Sequence, residues 1–552
     1  MKTPKAKTWL TTLPLVALAF VVALSLASCA GEETTTTTAP AGSTETTAAP
    51  TGPVTLVATR NNDPNSLDPA DEVTVGGGLE SQVAFYERLI NIGDPSGELE
   101  PGLAESWDAS PDALTYTFKL RQGVKFHDGT EFNADAVRFT WQRIMALEGA
   151  AAQYWQPVKD VVVVDPYTVQ IVLSQVSPSF LATLAGQRGI YMGPSPAAVK
   201  ANETTPGDWA KDYFRDHESG TGPYTLTSWT HDQELVYEKF PEYWRGWDGE
   251  HVDKIIHRIV KEPATARLML EKGEVDIAAD DLPIEIVDQM KDNPDIVLKR
   301  DPTTTLTQFT FNVDKKPTSD VRVRKAIALL FDYDTAIEGS FKGYAKRVYG
   351  PIPSSVWPPI PEEAVKYNRN VEEAKSLLAE AGYADGFTLK LSGMDILNYK
   401  SLFQILQQNL AEANIKLDVE MTTWPVLFEK LQKPKGEKPF DMASYQMWAA
   451  IPDPVDILMW WHTSAITVIN PGWGTSETDK MLDDANSTMD QAERERLYSQ
   501  VIMKLNDDCP GIWVAEVEHV MVYKPWLKGY EYIPYYHGLV NWYNLSIEGK
   551  ES

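Results

Sequence analysis

The chain has 552 residues and a formal net charge of −28, with 78 acidic side chains against 50 lysines and arginines. Such an acidic body repels nucleic acid and anionic lipid, which excludes both as partners, but it does not repel cationic or zwitterionic solutes. The length allows two or three compact units. Beyond the N-terminal segment, no apolar run approaches membrane-spanning length, so the protein is not itself a channel.

Residues 1–28 have the pattern of a secretory signal peptide. A basic start with three lysines precedes an apolar run from Leu13 to Leu26, which is short for a spanning helix. The letters LASC that end at Cys29 resemble the lipobox of bacterial lipoproteins. In such proteins the cysteine carries the lipid and becomes the mature N-terminus, so Cys29 is the expected attachment site. The alternative is an ordinary cleaved signal with a coincidental cysteine.

Residues 29–53 contain mostly Thr, Ala, Pro, Gly and Glu and have almost nothing to bury. We expect a flexible tether here, because such a composition cannot offset the entropy of ordering. A tether of this kind would keep the folded body close to the membrane at a raised effective concentration. Cys509 is the only other cysteine, so the mature chain has no intramolecular disulfide, and we expect this thiol to be buried.

The most informative stretch predicts a strand, a turn and a helix in succession. Tyr116, Phe118 and Leu120 alternate with polar residues, as in a strand with one buried face. Asp128-Gly129 is a turn dipeptide, and Asn133 is placed to cap an amphipathic helix.

Similar alternation of short apolar strands with amphipathic helices continues along the chain and predicts an α/β fold with mixed sheets. The predicted strands are Val54–Ala58, Val169–Leu173, Ile256–Val260, Leu306–Asn312, Thr388–Leu391, Leu417–Met421 and Asp441–Trp448. The clearest predicted helices are Val321–Phe331, Val371–Ala381, Tyr399–Ala413 and Gln491–Asn506.

Several segments resemble the family-5 extracytoplasmic solute-binding proteins of ABC importers, the peptide- and nickel-binding group. The stretch just described carries the strongest resemblance, in the letters YTFKLRQGVKFHDGTEFNADAVRFTWQR. Further segments follow in the family's order: NNDPNSLDPA (61–70), VVVVDPYTVQIVL (161–173), GTGPYTLTSW (220–229) and TFNVDKKPTSDVRVRKAIALLFD (310–332). The resemblance implies import by ligand capture and not catalysis.

The same resemblance implies a two-lobed, periplasmic-binding-protein-like fold of type II with an extra subdomain in the first lobe. Two hinge strands would join the lobes, with the chain leaving lobe I near Thr310 and returning near Ile512. The ligand would lie between the lobes. The implied divisions are lobe I at 54–309, its subdomain at about 93–215, lobe II at 310–511, and a return to lobe I at 512–552.

In the family, the strand and loop that correspond to residues 442–473 line the pocket on the second lobe. Trp448 resembles a tryptophan at the end of that strand and is the first candidate for a stacking surface. The further candidates on this lobe are Tyr445, Asn470, Trp473 and Trp424. The alternative for each aromatic residue is burial in the core, where large aromatic side chains usually lie.

On the first lobe, Asn61 and Asp63 follow the first strand and would face the cleft by analogy with the family. A polar turn before Pro64 is the alternative. Gln308 lies on an expected crossing strand and could present its amide to a ligand.

One departure from the peptide-binding members concerns the ligand. Those members often have Trp-x-x-Asp in this region, where the aspartate pairs with the α-amino group of the peptide. Here residues 448–454 read WAAIPDP, with Ile451 in the place of that acid. Asp453 belongs to the later Asp-Pro pair, which indicates a turn or a helix start. Peptides remain the first expected ligand class, and oligosaccharides are the second.

The remaining expectations concern partners, cofactors and rivals. We expect a monomer outside the cytoplasm, held at the membrane by its lipid alone, that delivers its ligand to an ABC permease. No cofactor or metal is expected, because zinc-type spacings, Walker loops and nucleophile elbows are absent from the sequence. The rivals are a surface-anchored glycoside hydrolase and a receptor that only senses solute.

Overall fold

The computed structural model describes residues 52–550, apart from 75–77, 188–190, 280–281, 468–469 and 471. The expected signal peptide, lipid-bearing Cys29 and most of the tether lie outside this range. Within the described range, no helix combines the length and the apolar character needed to cross a membrane.

The described residues form short strands and helices throughout the chain. The strands are β1 (Thr55–Arg60), β2 (Ile90–Ile92), β3 (Leu99–Pro101), β4 (Ala104–Ala109), β5 (Thr115–Leu120), β6 (Val158–Asp165), β7 (Thr168–Leu173), β8 (Tyr224–Thr230), β9 (Glu234–Lys239), β10 (Lys254–Ile259), β11 (Ile277–Ala278), β12 (Val297–Asp301), β13 (Thr305–Phe311), β14 (Ala345–Arg347), β15 (Phe387–Met394), β16 (Ile415–Thr422), β17 (Met442–Trp448), β18 (Gly511–Val517), β19 (His519–Tyr523), β20 (Leu527–Lys528) and β21 (Ser546–Ile547). The helices are α1 (Leu79–Phe85), α2 (Ala134–Leu147), α3 (Ala152–Trp155), α4 (Phe180–Ala185), α5 (Pro196–Asn202), α6 (Lys211–Phe214), α7 (Pro263–Lys272), α8 (Ile284–Val287), α9 (Val321–Leu330), α10 (Tyr333–Phe341), α11 (Val371–Glu380), α12 (Leu397–Ala411), α13 (Trp424–Leu431), α14 (Val455–Leu458), α15 (Ser476–Ser487) and α16 (Gln491–Asp508).

Two large mixed sheets organise the fold, as the predicted α/β class requires. The first has the strand order β12-β19-β11-β1-β10-β9-β8, and the second has the order β14-β18-β13-β17-β15-β16. In the first sheet β1 is parallel to β10 and β11, and in the second β15 is parallel to β16 and β17. We call the bodies built on these sheets lobe I and lobe II.

A smaller sheet, β4-β5-β7-β6, belongs to the segment expected to form a subdomain. Its strand β5 buries Tyr116, Phe118 and Leu120, as the alternation predicted. The next helix, α2, begins after Asn133, whose side chain accepts a hydrogen bond from the backbone N–H of Ala136. The predicted strand, cap and helix are therefore confirmed.

The chain passes between the two sheets at two neighbouring points. It leaves the first sheet at the end of β12 and enters the second at β13, through residues 302–304. It returns through Glu518 alone, between β18 and β19. The lobe boundaries expected from sequence, near Thr310 and Ile512, therefore fall inside β13 and β18. The alternation of apolar and polar residues predicts a strand but not the sheet in which that strand pairs. On this pairing we propose that lobe II comprises residues 305–517.

A buried ion pair near the subdomain is open to a direct test. The Nδ1 atom of His127 contacts a carboxylate oxygen of Glu218, and Nε2 lies 2.9 Å from the carbonyl oxygen of Gly222. Burial alone would lower the pKa of His127, but the charge and hydrogen bond of Glu218 outweigh burial and raise it. Because the folded pKa is raised, the pair contributes its full stability below the unfolded histidine pKa of about 6.5. That contribution is lost as the pH rises through the folded pKa.

We therefore expect His127→Gln to reduce the free energy of unfolding more at pH 6 than at pH 9. Urea denaturation at several pH values measures the difference, and His217→Gln, at an exposed histidine, is the control. A loss that is constant across the pH range, or that grows at alkaline pH, would contradict this assignment.

Candidate ligand-binding cleft

The carboxyl ends of parallel strands from both sheets border one cleft. Loops after parallel strands leave side chains and backbone groups free to meet a ligand, and open α/β sheets bind ligands there. In lobe I these strands end at Arg60, Ile259 and Ala278. In lobe II they end at Met394, Thr422 and Trp448.

The cleft contains a cavity of about 290 Å³ beside the two crossings. Lobe I contributes Leu282, Pro283, Ile284, Glu285, His519, Val520 and His537; lobe II contributes Thr305, Ile396, Asn398, Gln446 and Val517; the crossings contribute Thr303 and Glu518. A second cavity, of about 340 Å³, lies at the ends of β1 and β10 and shares Leu282 and Pro283 with the first. A mixed apolar and polar lining of this kind suits a small solute.

Aromatic rings from both lobes meet at this cleft. The partly exposed Trp448 follows Gln446 and lies opposite Thr305 in the sheet, and its ring centroid is 6.1 Å from that of His537. His519 stacks on Tyr532 with 4.2 Å between centroids. Trp448 therefore lies at the carboxyl end of β17, beside His537 of the cavity lining, and its contact with a ligand stays a prediction.

Two polar side chains of the lining have buried atoms with no hydrogen-bond partner among the described residues. Thr305 is only 5% exposed, and its hydroxyl oxygen is unpartnered. The second such atom is Oε2 of Glu285 on the facing wall. By contrast, the carboxylate of Glu518 pairs with Arg300, at 2.5 Å between Oε2 and Nε. Buried polar groups of this kind cost free energy until a partner satisfies them.

Two predicted site residues point away from the cleft. Gln308 lies directly opposite Tyr445 in the β13–β17 pair, and opposite residues share one face of a sheet. Tyr445 is three residues from Trp448, so the two side chains point to opposite faces. Tyr445 packs in the core cluster with residues of α13, α15 and α16, and burial raises its pKa.

Gln308 is likewise buried and donates its amide hydrogen to the sulfur of Met447. Neither Gln308 nor Tyr445 is among the described residues that line the cavity. The expectation that these two side chains face the ligand is therefore corrected.

Asn470 and Trp473 hold their own loop together. The Asn470 side chain donates to the carbonyl oxygen of Trp473 at 2.8 Å and accepts from the N–H of Gly472 at 2.8 Å. Trp473 is buried, lies edge-on to Trp461, and donates from Nε1 to Asp508 at 3.1 Å. Asn470 and Trp473, both expected to contact the ligand, thus stabilise their own loop. The amino-acid sequence of the loop does not reveal these contacts.

The three other candidates follow the carboxyl ends of β1 and β16. Trp424 begins α13, directly after the carboxyl end of β16, and is 40% exposed. Asn61 is exposed and lines the second cavity. Asp63 accepts hydrogen bonds from Trp229 at 2.8 Å and from His231 at 2.9 Å, so its carboxylate is already partnered. Contact of Trp424 and Asn61 with a ligand stays a proposal.

Sequence reasoning missed most of the cavity lining. Gln446 could have been predicted, because Trp448 was already a candidate and residues two apart on a strand share a face. The same rule on β13 gives Thr305, opposite Trp448. Glu285 and His537 carried no such signal, since they come from a short helix and an irregular segment far apart in the chain.

The Asp-Pro pair has the structural role that its sequence context indicated. Asp453 is buried and forms a bidentate ion pair with Arg494, at 2.7 and 2.9 Å from Nη2. It also accepts a hydrogen bond from the N–H of Val455, in the first turn of α14. Ile451, in the place of the family's acid, is a buried apolar side chain.

Trp473 is buried and Trp448 is partly exposed, so we expect their substitutions to lower the free energy of unfolding by different amounts. We expect Trp473→Ala to cost about 3–5 kcal/mol of unfolding free energy, because it empties a packed core site. Trp448→Ala should cost about 1 kcal/mol or less in the empty protein, because this ring is partly exposed. Urea denaturation of both variants tests this. An equal loss in the two would mean that Trp448 also belongs to the core.

The sequence and fold resemble those of known binding proteins. The glutathione-binding protein of Pectobacterium atrosepticum is 30% identical over 85% of this chain and 90% of its own length. The probable D,D-dipeptide-binding periplasmic protein of Escherichia coli K12 is 28% identical, over 87% and 92%. Among solved structures, the ABC transporter-associated periplasmic binding protein of Helicobacter pylori, in complex with the peptide STSA, is 26% identical. It covers 90% of this chain and 98% of its own, with a TM-score of 0.75.

A family model supports the same relationship. The model for the middle part of the bacterial extracellular solute-binding proteins of family 5 matches residues 98–467. This segment includes the subdomain sheet, the first crossing and most of lobe II. The chain therefore belongs to the bacterial extracellular solute-binding proteins of family 5.

Proposed function

We propose that this protein captures a peptide between its lobes and delivers it to an ABC permease in the membrane. The observation that carries the proposal is the cleft itself, in which stacking rings and unpartnered polar atoms from both lobes surround one cavity. Such a lining can orient a solute, and the apolar surface can bury it. We propose no chemical change of the ligand.

The relatives support peptides as the ligand class. The names of two of them specify glutathione and a D,D-dipeptide, and a third was solved with the peptide STSA. Peptides carry donors and acceptors at regular spacing, which matches the polar groups of Thr305, Gln446 and Asn398 on one wall. Trp448 would pack against a side chain or against the peptide plane.

The two crossings support a closing motion of the lobes. Only residues 302–304 and Glu518 link the sheets covalently, so rotation there would open or shut the cleft. The loop after β17 contacts the subdomain, where the N–H of Gln187 donates to the carbonyl oxygen of Ala450 at 3.1 Å. A ligand would favour the closed form by its greater affinity for that form.

The location and partners follow from the sequence features. We propose that Cys29 carries the lipid and that residues 29–53 tether a monomeric body at the outer face of the cytoplasmic membrane or in the periplasm. Two acyl chains would anchor it stably without a spanning helix. The permease and the ATP-hydrolysing subunits would be separate proteins.

An oligosaccharide is the second candidate ligand. It is favoured by the replacement of the family's amine-binding acid by Ile451 and by the aromatic rings at the cleft. Sugars present flat apolar faces that stack on such rings.

A thermal-shift screen of peptides and oligosaccharides, followed by chromatography of the bound molecule, tests the proposal. We expect peptides to raise the melting temperature and to be recovered intact. Stabilisation by oligosaccharides alone would favour the second candidate. Recovery of cleavage products would instead identify a hydrolase and overturn the proposal.

The positions of Gln446, in the cavity lining, and of Trp448, beside His537 of that lining at the end of the same strand, predict which substitutions weaken binding. We expect Trp448→Ala and Gln446→Ala to weaken the best peptide of the screen at least about tenfold, because each removes a cleft contact. Gln308→Ala, on the opposite face of the same sheet, should leave the affinity within about threefold of wild type and affect stability instead.

Isothermal titration calorimetry gives the affinities. If Trp448→Ala, Gln446→Ala and Gln308→Ala weakened peptide binding equally, the ligand would not be bound on the cleft face of the sheet.

A further inference from the structure

Glu285 is an acidic side chain of the cavity that has no ion-pair partner among the described residues. It lies in α8, on the lobe I wall, and its Oε2 is buried with no hydrogen-bond partner among the described residues. No ion pair of Glu285 occurs among the side chains that the structure describes. The backbone of Glu285 does take part in a hydrogen bond, because its carbonyl oxygen accepts from the side-chain amide of Gln289.

The described surroundings of Glu285 supply no fixed cation, since the basic side chains that line this cavity are His519 and His537. None of the described residues that line this cavity is Lys or Arg. The other lining carboxylate, on Glu518, already pairs with Arg300. One carboxylate oxygen of Glu285 is withdrawn from water, although the side chain as a whole is partly exposed, and a buried polar atom costs free energy until a partner satisfies it.

The facing wall supplies a group that would complete such a site. The buried hydroxyl of Thr305 lines the same cavity and is also unpartnered among the described residues. A hydroxyl oxygen accepts a hydrogen bond from an ammonium group, as a carboxylate does. Glu285 and Thr305 therefore offer two acceptors from opposite lobes to a single cationic group.

At the position where family members often have an acidic side chain, this chain has none. Ile451 is a buried apolar side chain, and the nearby Asp453 is bound to Arg494. A ligand with a free amine would meet no free carboxylate at either residue. The charge that complements an amine has to come from elsewhere in the cleft.

We propose that Glu285 receives a primary ammonium group of the ligand and thereby selects amine-bearing solutes. This inference rests on the proposed capture of a ligand in the cleft, but it does not require that the ligand be a peptide. The charge-assisted contact would form on closure, when the ammonium also reaches Thr305 on lobe II. Glu285 thus acts as a specificity-determining residue that links the two lobes through the ligand.

Matched pairs of amine and acetamide probes test this proposal. The peptide pair is a set of alanine peptides of two to five residues and the same peptides with N-acetyl caps. The sugar pair is the chitosan trisaccharide and its fully N-acetylated counterpart. Each probe is titrated calorimetrically into wild type, Glu285→Gln and the control Glu271→Gln, after the melting temperatures have shown that the variants fold. Glu271 lies on α7 of the same lobe, pairs with Arg267 and lines neither cavity.

In wild type we expect the free-amine member of at least one pair to bind at least about tenfold more tightly than its acetylated partner. Glu285→Gln should reduce that preference to within about threefold, whereas Glu271→Gln should retain it. A preference confined to the sugar pair would support the role of Glu285 while overturning the peptide as ligand.

Three results would overturn the inference. One is a preference for the amine that survives in Glu285→Gln. Another is equal loss in Glu271→Gln, which would indicate a general effect of the charge of lobe I. The third is the absence of any amine preference in wild type, including a failure of every amine probe to bind. Peptides that bind equally tightly with and without the acetyl cap would contradict the role of Glu285 alone and would leave the proposed function unaffected.

Discussion

The two-stranded connection between the sheets is the constraint on which the rest of the structure depends. β12 and β19 are antiparallel neighbours in lobe I, where Asp301 lies opposite His519. β13 and β18 are antiparallel neighbours in lobe II, where Leu306 lies opposite Glu516. The linking residues also bind each other, since the hydroxyl of Thr303 donates to the carbonyl oxygen of Val517. A paired ribbon therefore passes from one sheet into the other and fixes where the lobes can bend.

This ribbon also determines where the ligand site lies. The parallel strands on either side of it end towards the cleft, so their loops converge from both lobes on the space beside the crossings. Residues far apart in sequence, such as Glu285 and Gln446, consequently line one cavity. Their side chains are free to meet a solute because the core packing lies on the other parts of each sheet.

Local sequence patterns predicted most elements of this fold but not all of their neighbours. The alternation in β5 and the cap at Asn133 depend on contacts within a few residues, and both were predictable. The resemblance to the family supplied the two lobes, which periodicity alone does not give. The crossings lie several residues from the expected positions, because the letters of β13 (TLTQFTF) and β18 (GIWVAEV) predict strands without revealing the sheet to which each belongs.

The candidate site was less predictable for a physical reason. Trp448 and Tyr445 were chosen as aromatic residues of one strand, although a separation of three places them on opposite faces. Asn470 and Trp473 satisfy each other within their loop, which only the folded loop reveals. Glu285 and His537 lie on short or irregular segments, so their convergence depends on the tertiary structure and not on a pattern in the letters.

Hydrogen-exchange mass spectrometry with the tightest-binding peptide tests the central claim that the ligand is held between the lobes. Saturating peptide should slow exchange on both walls and at the ribbon, in residues 282–285, 303–305, 446–448 and 517–520. Slowed exchange confined to one lobe, or to a surface remote from the crossings, would contradict the claim.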